Sequence, residues 1–341
     1  MTNAVSIAQL GANNSSFTNR IINGAFGIWQ RGTSGAMTTS PTYVAADRWG
    51  VDQASSAAAT FSQSTSVPTA VAQYSGKVQR NNASTGTNNI VIAQAFETAN
   101  SYDLAGQSAT LSFYAKAGAN FSASSNTLNF NVFYGQGTDQ SLALMRSNSW
   151  TNQTNSGSSV SLTTTWTKYT FTVSVPAGTT QVGLQFYFTP VGTAGADDAF
   201  YITSVQLEKG STATSFDYRP YGTELQLAQR YCFALVSTGE NLSTFVGFWR
   251  FATGKLVVPI SFPVTMRTSP TTTIPSGNNS WSVEDGFNPY TGTPTIERPT
   301  PYNVMLNIPL SSNPSFSTSP ALAVHMFSAS GTVCLLASAE L

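Results

Sequence analysis

The chain of 341 residues is 41% hydrophobic and only 9% charged, well under the roughly 25% charge of an ordinary soluble domain. Its 15 Lys and Arg balance 15 Asp and Glu, so there is no electrostatic footprint for nucleic acid or for an anionic membrane. Met1 to Leu10 lack a basic start and a continuous apolar run, and no later stretch approaches a membrane span. This predicts synthesis in the cytoplasm without a signal peptide and no membrane insertion.

At roughly 150 residues per domain, the length suggests two domains. Residues 1–16 are small and polar apart from Val5, Ile7 and Leu10. They read either as an arm that orders against a partner in a larger particle or as a frayed terminus. From 17 to 222, alternating apolar and polar segments separated by Gly, Asn, Ser and Pro predict a β-sandwich. The clearest strands are Thr110 to Ala115, Leu128 to Tyr134, Lys168 to Val175, Val182 to Phe188 and Phe200 to Leu207. In Lys168 to Val175, the residues Tyr169, Phe171, Val173 and Val175 share one face, as a half-buried strand requires. Trp150 stands in a polar loop, while Trp29, Trp49, Trp166 and Trp249 sit in or beside strands and read as core.

Thr223 to Tyr231 (TELQLAQRY) breaks the β pattern. Thr223 and Gln226 have capping-box spacing, which predicts a short helix after the junction Pro220-Tyr221-Gly222. Residues 223–341 then form a distal β-sandwich, with strands at Cys232 to Val236, Phe245 to Phe251, Lys255 to Phe262, Tyr302 to Ile308, Ala321 to Ser328 and Thr332 to Ala339. Thr268 to Pro301 reads as long surface loops with about two short strands, a place where binding surfaces often sit. Together these elements predict an all-β protein of two jelly-roll-like sandwiches joined by a short helix.

Catalytic machinery is sparse. The single histidine, His325, falls in a strand-like run, and no GxSxG, HExxH, phosphate loop or EF-hand pattern occurs. Cys232 and Cys334 form no CxxC pair and read as buried free thiols. A glycosidase needs only two carboxylates, so Asp47, Asp52, Glu97, Asp103, Asp139, Asp197, Asp198, Glu284 and Asp285 are the acids to place; the expectation is no enzyme. Adjacent Asp197 and Asp198 should point to opposite faces, as turn residues or as weak calcium ligands. Glu284 and Asp285 read as a turn before Gly286. Aromatic rings in polar loops are the natural platforms for sugar faces. Trp150, Trp281 and Tyr290 are the carbohydrate-binding candidates, each with the alternative of a plug folded onto its own domain.

The segments NRIINGAFGIWQRG (Asn19 to Gly32) and AADRWG (Ala45 to Gly50) strongly resemble phage and prophage tail-fibre or virion proteins. To about residue 208, LSFYAKAG, TTTWTKYTFTVSVPAG and DDAFYITSVQLEKGSTATSFDYRPYGTEL are similar to the carbohydrate-binding-module jelly roll of those proteins. The resemblance implies a virion protein of tail-fibre or receptor-binding type, with other virion proteins and a host surface glycan as partners. A capsid-bound fibre or decoration, a structural connector and a polysaccharide depolymerase are the alternatives. Relatives often hold a structural calcium through acids in the last strand, where this chain has Thr203 and Ser204 in FYITSV. The resemblance therefore implies weakened calcium and sugar binding in the first sandwich, with adhesion left to the distal one. FPVTMRTSPT and the ending LASAEL are similar to distal fibre domains. Family fibres are usually homotrimers, which makes Leu225, Ala228 and Cys232 candidates for an oligomer axis. The open alternative is a helix that covers the end of its own sandwich.

Overall fold

A computed structural model describes residues 17–54, 57–236, 242–245, 249–252, 255–274, 280–284, 289–292, 294–309, 323–327 and 333–341. The expected arm, residues 1–16, and Asp285 with Gly286 lie outside the described residues. The first half folds as β1 (Ser34–Ala36), β2 (Gly50–Gln53), β3 (Ala59–Ser64), β4 (Ser75–Arg80), β5 (Ile90–Ala95), β6 (Ser108–Ala117) and β7 (Thr127–Gly135). A short helix α1 (Leu142–Arg146) precedes β8 (Thr154–Ser161), β9 (Thr167–Ser174), β10 (Gln181–Phe188) and β11 (Ala199–Lys209). They pair antiparallel into a six-stranded sheet, β1-β3-β4-β11-β6-β9, and a five-stranded sheet, β2-β5-β10-β7-β8. Each of the five clearest strands of the sequence is present, and the alternation of β9 turns Tyr169, Phe171 and Val173 to the core. Between the sheets Phe113 packs edge-on against Phe130 and Phe186, with ring centroids 5.4 and 4.8 Å apart. The expected β-sandwich follows from this pairing of two apolar faces.

The NRIING segment binds the strand that most needs cover. β11 has a register shift between Thr203 and Gln206, and Ser204 takes a positive φ. Such a bulge leaves backbone groups outside the ladder. Asn19 meets two of them: its Nδ2 donates to Val205 O at 3.1 Å and its Oδ1 accepts from Leu207 N at 3.1 Å. Val205 N donates to Gly24 O, and a Cβ at Gly24 would stand 2.2 Å from Val205 O.

The second half holds α2 (Tyr221–Gln229), β12 (Cys232–Val236), β13 (Leu242–Phe245), β14 (Trp249–Ala252), β15 (Lys255–Ser261), β16 (Thr271–Thr273) and β17 (Ser280–Glu284). β18 (Pro289–Gly292), β19 (Thr295–Glu297), β20 (Asn303–Pro309), β21 (Ala323–Phe327) and β22 (Val333–Ser338) follow. They form three small antiparallel sheets, β12-β22-β16, β13-β21-β17-β18 and β14-β15-β20-β19. Val258, Ile260, Val304, Leu306, Cys334 and Leu335 are among their buried core. Both cysteines are buried and neither is in a disulfide, as expected. Where loops with about two short strands were expected between Thr268 and Pro301 there are four short strands, because β16 to β19 each find a ladder partner in β20, β21, β22 or one another. The expected capping box is not formed. The helix starts two residues earlier, at Tyr221, with Glu224 N donating to Pro220 O. Thr223 is therefore inside the first turn, and no side chain caps the end.

The resemblance motifs converge on a buried charge cluster. Arg31 Nη1 donates to Asp47 at 2.9 Å and its Nη2 to Glu340 at 3.0 Å, while Arg48 pairs with the other oxygen of Glu340. The Arg48 guanidinium lies 3.7 Å from the centroid of the Tyr231 ring. Gln30 donates to Cys232 O, and the Tyr43 hydroxyl to Leu341 O. WQRG, ADRW and AEL are thus three parts of one clasp that ties the chain's end to the first sandwich. Burial pushes the Asp47 carboxyl up to about 6, against the pull of Arg31. Burial likewise raises the Tyr231 hydroxyl to about 12, with Arg48 opposing. Among the described residues no helix is long and apolar enough to cross a membrane.

Candidate functional site

The outer face of the five-stranded sheet is where the first sandwich opens to solvent, and it is divided in two. Register sets Gly50, Ala93, Gln185, Asn131 and Gly157 in one row, and Asp52, Val91, Tyr187, Asn129 and Ser159 in the next. One end is closed. The segment after β7 forms α1, whose N-cap Ser141 accepts from Leu144 N. The helix and the loop after it lay Leu142, Met145 and Trp150 over Ala93, Ala95 and Phe133, joined by Leu341 from the chain's end. A Cβ at Gly183 would stand 2.3 Å from the Met145 sulfur, so glycine is what lets the helix settle on β10.

Trp150 is 3% exposed, and its indole Nε1 donates to Ser141 O at 2.9 Å. It is a plug and not a platform. Its polar neighbours in sequence misled because they face solvent around the ring they hold.

The other end is polar: Asp52 and Gln185 are buried, Asn129, Asn131 and Tyr187 are half-buried, and Asn155 is exposed. Arg146 Nε and Nη2 grip both oxygens of Asp52 at 2.8 and 2.9 Å, and its Nη1 donates to Gln185. Gln185 Nε2 donates to Asn131 Oδ1 at 2.9 Å, and Asn131 Nδ2 to Asn155 Oδ1 at 3.1 Å. Four strands and α1 thereby hold a ladder of planar groups in fixed orientation. Beside it the half-buried Tyr187 ring packs on the apolar cover, with Asn129 as its neighbour across the ladder. A flat ring beside oriented amides and an arginine is the equipment for stacking and hydrogen bonding a sugar. Sequence reasoning missed this strip. The available signal was the pair Gln185 and Tyr187, which alternate with Leu184, Phe186 and Phe188 in β10.

The other candidates are dispersed. Trp281 is in β17 opposite Gly292, and Tyr290 is in the edge strand β18 opposite Val283, so register places both on one face of a hairpin. His325 is in β21, opposite Ser243 and Ser282. Of the oligomer-axis candidates, Ala228 is buried against Ile22 and Ile28 with Leu225 packed on the same cluster. Cys232 lies beyond the helix, fully buried in β12. The helix face therefore covers its own sandwich, and within one chain these residues already have their cover.

The candidate acids of the first sandwich are occupied. Asp47, Asp52, Glu97, Asp103, Asp197 and Asp198 pair with Arg31, Arg146, Arg230, Arg20, Lys77 and Arg80. Asp139 accepts from Thr98 N. As expected, Asp197 and Asp198 diverge. Asp198 is buried with Arg80 and accepts from Ser122 N, while Asp197 faces outward to Lys77. Cationic side chains thus stand where a calcium ion would have to bind. Among the described residues no group of three or more His, Cys, Asp or Glu is arranged to hold a metal. Thr203 is buried and donates to Tyr74 O.

No family model matches the chain, and no curated protein matches it. Among solved structures it is similar to the enzymatically active domain of tailspike protein 4 of bacteriophage CBA120, at 16% identity and a TM-score of 0.35, over 57% of this chain and 22% of that one. It is similar to the CBM22-1 xylan-binding domain of Paenibacillus barcinonensis Xyn10C at 13% identity and a TM-score of 0.31, over 52% of this chain and 95% of that domain. A third similarity is to TmCBM61 in complex with β-1,4-galactotriose, at 12% identity and a TM-score of 0.31, over 56% of this chain and 99% of that one. The chain thus spans under a quarter of the tailspike domain but nearly all of the two binding modules.

Proposed function

We propose that the protein is a structural and adhesive component of a tailed-phage particle, of tail-fibre or receptor-binding type, that holds neutral sugar units of a host surface glycan. The observation that carries the binding part is the half-buried Tyr187 beside the preset ladder Asp52–Arg146–Gln185–Asn131–Asn155. A preorganised polar set beside a ring loses little conformational freedom when a sugar docks. The Trp281 and Tyr290 hairpin of the distal sheets is a second contact in this reading. The virion setting rests on the resemblance of NRIINGAFGIWQRG and YRPYGTEL to phage proteins. The occupied state of the described acids favours binding over hydrolysis. The test is adsorption of the purified protein to host cells together with binding of neutral oligosaccharides. Tyr187→Ala should weaken binding about tenfold or more and leave the melting temperature nearly unchanged. Intact binding by this variant would remove the strip from the site.

A purely structural connector is the second reading, favoured by the plug that closes half of the sheet face. Absence of adsorption by the wild-type protein would select it. Release of oligosaccharides from host polysaccharide would instead select the depolymerase.

A further inference from the structure

The opposite sheet carries a second chemistry that the neutral strip does not use. On the outer face of β4, β11 and β6, register sets Lys77, Tyr201 and Lys116 in one row, and Trp166 enters β9 at the end of that row. The next row sets Thr203, Tyr114 and Lys168 side by side. Three of the chain's five lysines thus stand in two adjacent rows. Lys116 Nζ is 4.6 Å from the Tyr201 ring centroid and 5.7 Å from that of Trp166, and the two rings meet edge-on at 6.4 Å. Trp166 and Tyr114 are half-buried and Lys168 is exposed. The carboxylate at the rim, Asp197, is already taken by Lys77 at 2.9 Å, by the Tyr201 hydroxyl at 2.9 Å and by Ala119 N at 3.0 Å. Among the described residues no carboxylate lies within ion-pair distance of Lys116 or Lys168; Lys168 donates only to the carbonyl of Thr214.

The geometry points to this face as a binding platform for a carboxylated oligosaccharide, one built of uronic acid units. Flat sugar faces match the Trp166 and Tyr114 rings. A carboxylate would meet the Lys116 ammonium, which is held by ring quadrupoles that leave its charge uncompensated. Lys168, one row along, sits where a following carboxylate would fall. In a chain of zero net charge and few charged residues, such a local positive field favours an anionic ligand without general attraction to polyanions. The proposal is independent of the Tyr187 strip, because it concerns a different face and a different ligand.

The test is titration calorimetry of the full chain with tetragalacturonate and with its fully methyl-esterified form. Expected are binding of the acid that weakens with added salt, little or none of the ester, and about a tenfold loss of affinity for the acid in Lys116→Gln and in Trp166→Ala. Lys116→Arg should retain binding, and Lys209→Gln, which removes a charge elsewhere, should bind as the wild type does. Equal binding of acid and ester, undiminished binding by Lys116→Gln, or loss in Lys209→Gln matching that in Lys116→Gln would overturn the proposal. Displacement by oligothymidylate at the same potency would also overturn it, by marking the face as a site for single-stranded nucleic acid. Neutral oligosaccharide binding reports on the Tyr187 strip alone, so the two readings fail separately.

Discussion

Trp150 and Tyr187 share one sheet face and have opposite roles, and exposure alone separates them. Trp150 is wedged between α1 and β10 with its indole N–H satisfied. Trp150→Ala should therefore cost about 3–5 kcal/mol, measured by urea unfolding, and should release α1 from the sheet. Tyr187 is half-buried at the margin of the same cover, and in the proposed binding role its truncation should affect ligand before fold. Asp47 gives a pH signature. Its folded value of about 6 exceeds the ordinary 3.8, so between these values the folded state binds more protons than the unfolded chain. Stability must then fall as pH rises from about 4 to about 6, by up to about 3 kcal/mol, and stay level above. Thermal melts across this range should show the decline, and Asp47→Asn should flatten it. Trp166 shows what a closer reading of the sequence could have found. It has the same parity as Lys168 and Thr170, opposite to Tyr169 and Phe171, so period two already assigned it to the outer face and not to the core.

At the scale of elements, the bulged strand β11 is the point of greatest demand. Its edge beyond the last β4 pair is taken by the NRIING segment, and Gly24 permits the approach. Gly24→Ala should push this segment off Val205 and destabilise the protein by about 1–3 kcal/mol, read as a lowered melting temperature and faster amide exchange at Val205 and Leu207. The strands β6, β7, β9, β10 and β11 were legible because alternation is a local property of the chain. Helix α2 was legible in existence but not in its start. Thr223 and Gln226 have the right spacing, yet Glu224 is instead drawn to Arg219 at 3.0 Å and to the backbone of Asn23. The short strands between Thr268 and Pro301 were not legible, since segments of three to five residues become strands only when a partner ladder is beside them.

For the whole molecule, the decisive feature is the clasp of Arg31, Asp47, Arg48 and Glu340, nearly all of it buried. Pairs of this kind are weak stabilisers as a set, but removing one member leaves an uncompensated buried charge. Glu340→Ala should cost about 3–5 kcal/mol. Calorimetry should then show the C-terminal sheets melting before the first sandwich, whereas the wild-type protein should melt in one transition. A single unchanged transition would mean that the clasp does not couple them. The same motifs that carry the resemblance to phage proteins are thus architectural. Asn19, Gly24, Arg31, Asp47, Arg48 and Glu340 brace the bulge and the clasp, Arg219 donates to Ile21 O beside them, and the two proposed binding faces use other residues.

By itself the sequence determined the all-β class, the strands with their two-faced alternation, the divergence of Asp197 and Asp198, and the burial of the two thiols. Each follows from backbone geometry and from the transfer of apolar side chains out of water, which act over a few residues. Only the tertiary structure decided which outward face stays open. That choice depends on segments distant in the chain, such as Leu341 over Ala93 and Ala95, and α1 over β10. Period two gives every strand two faces, and long-range packing alone determines which of the outer ones is covered.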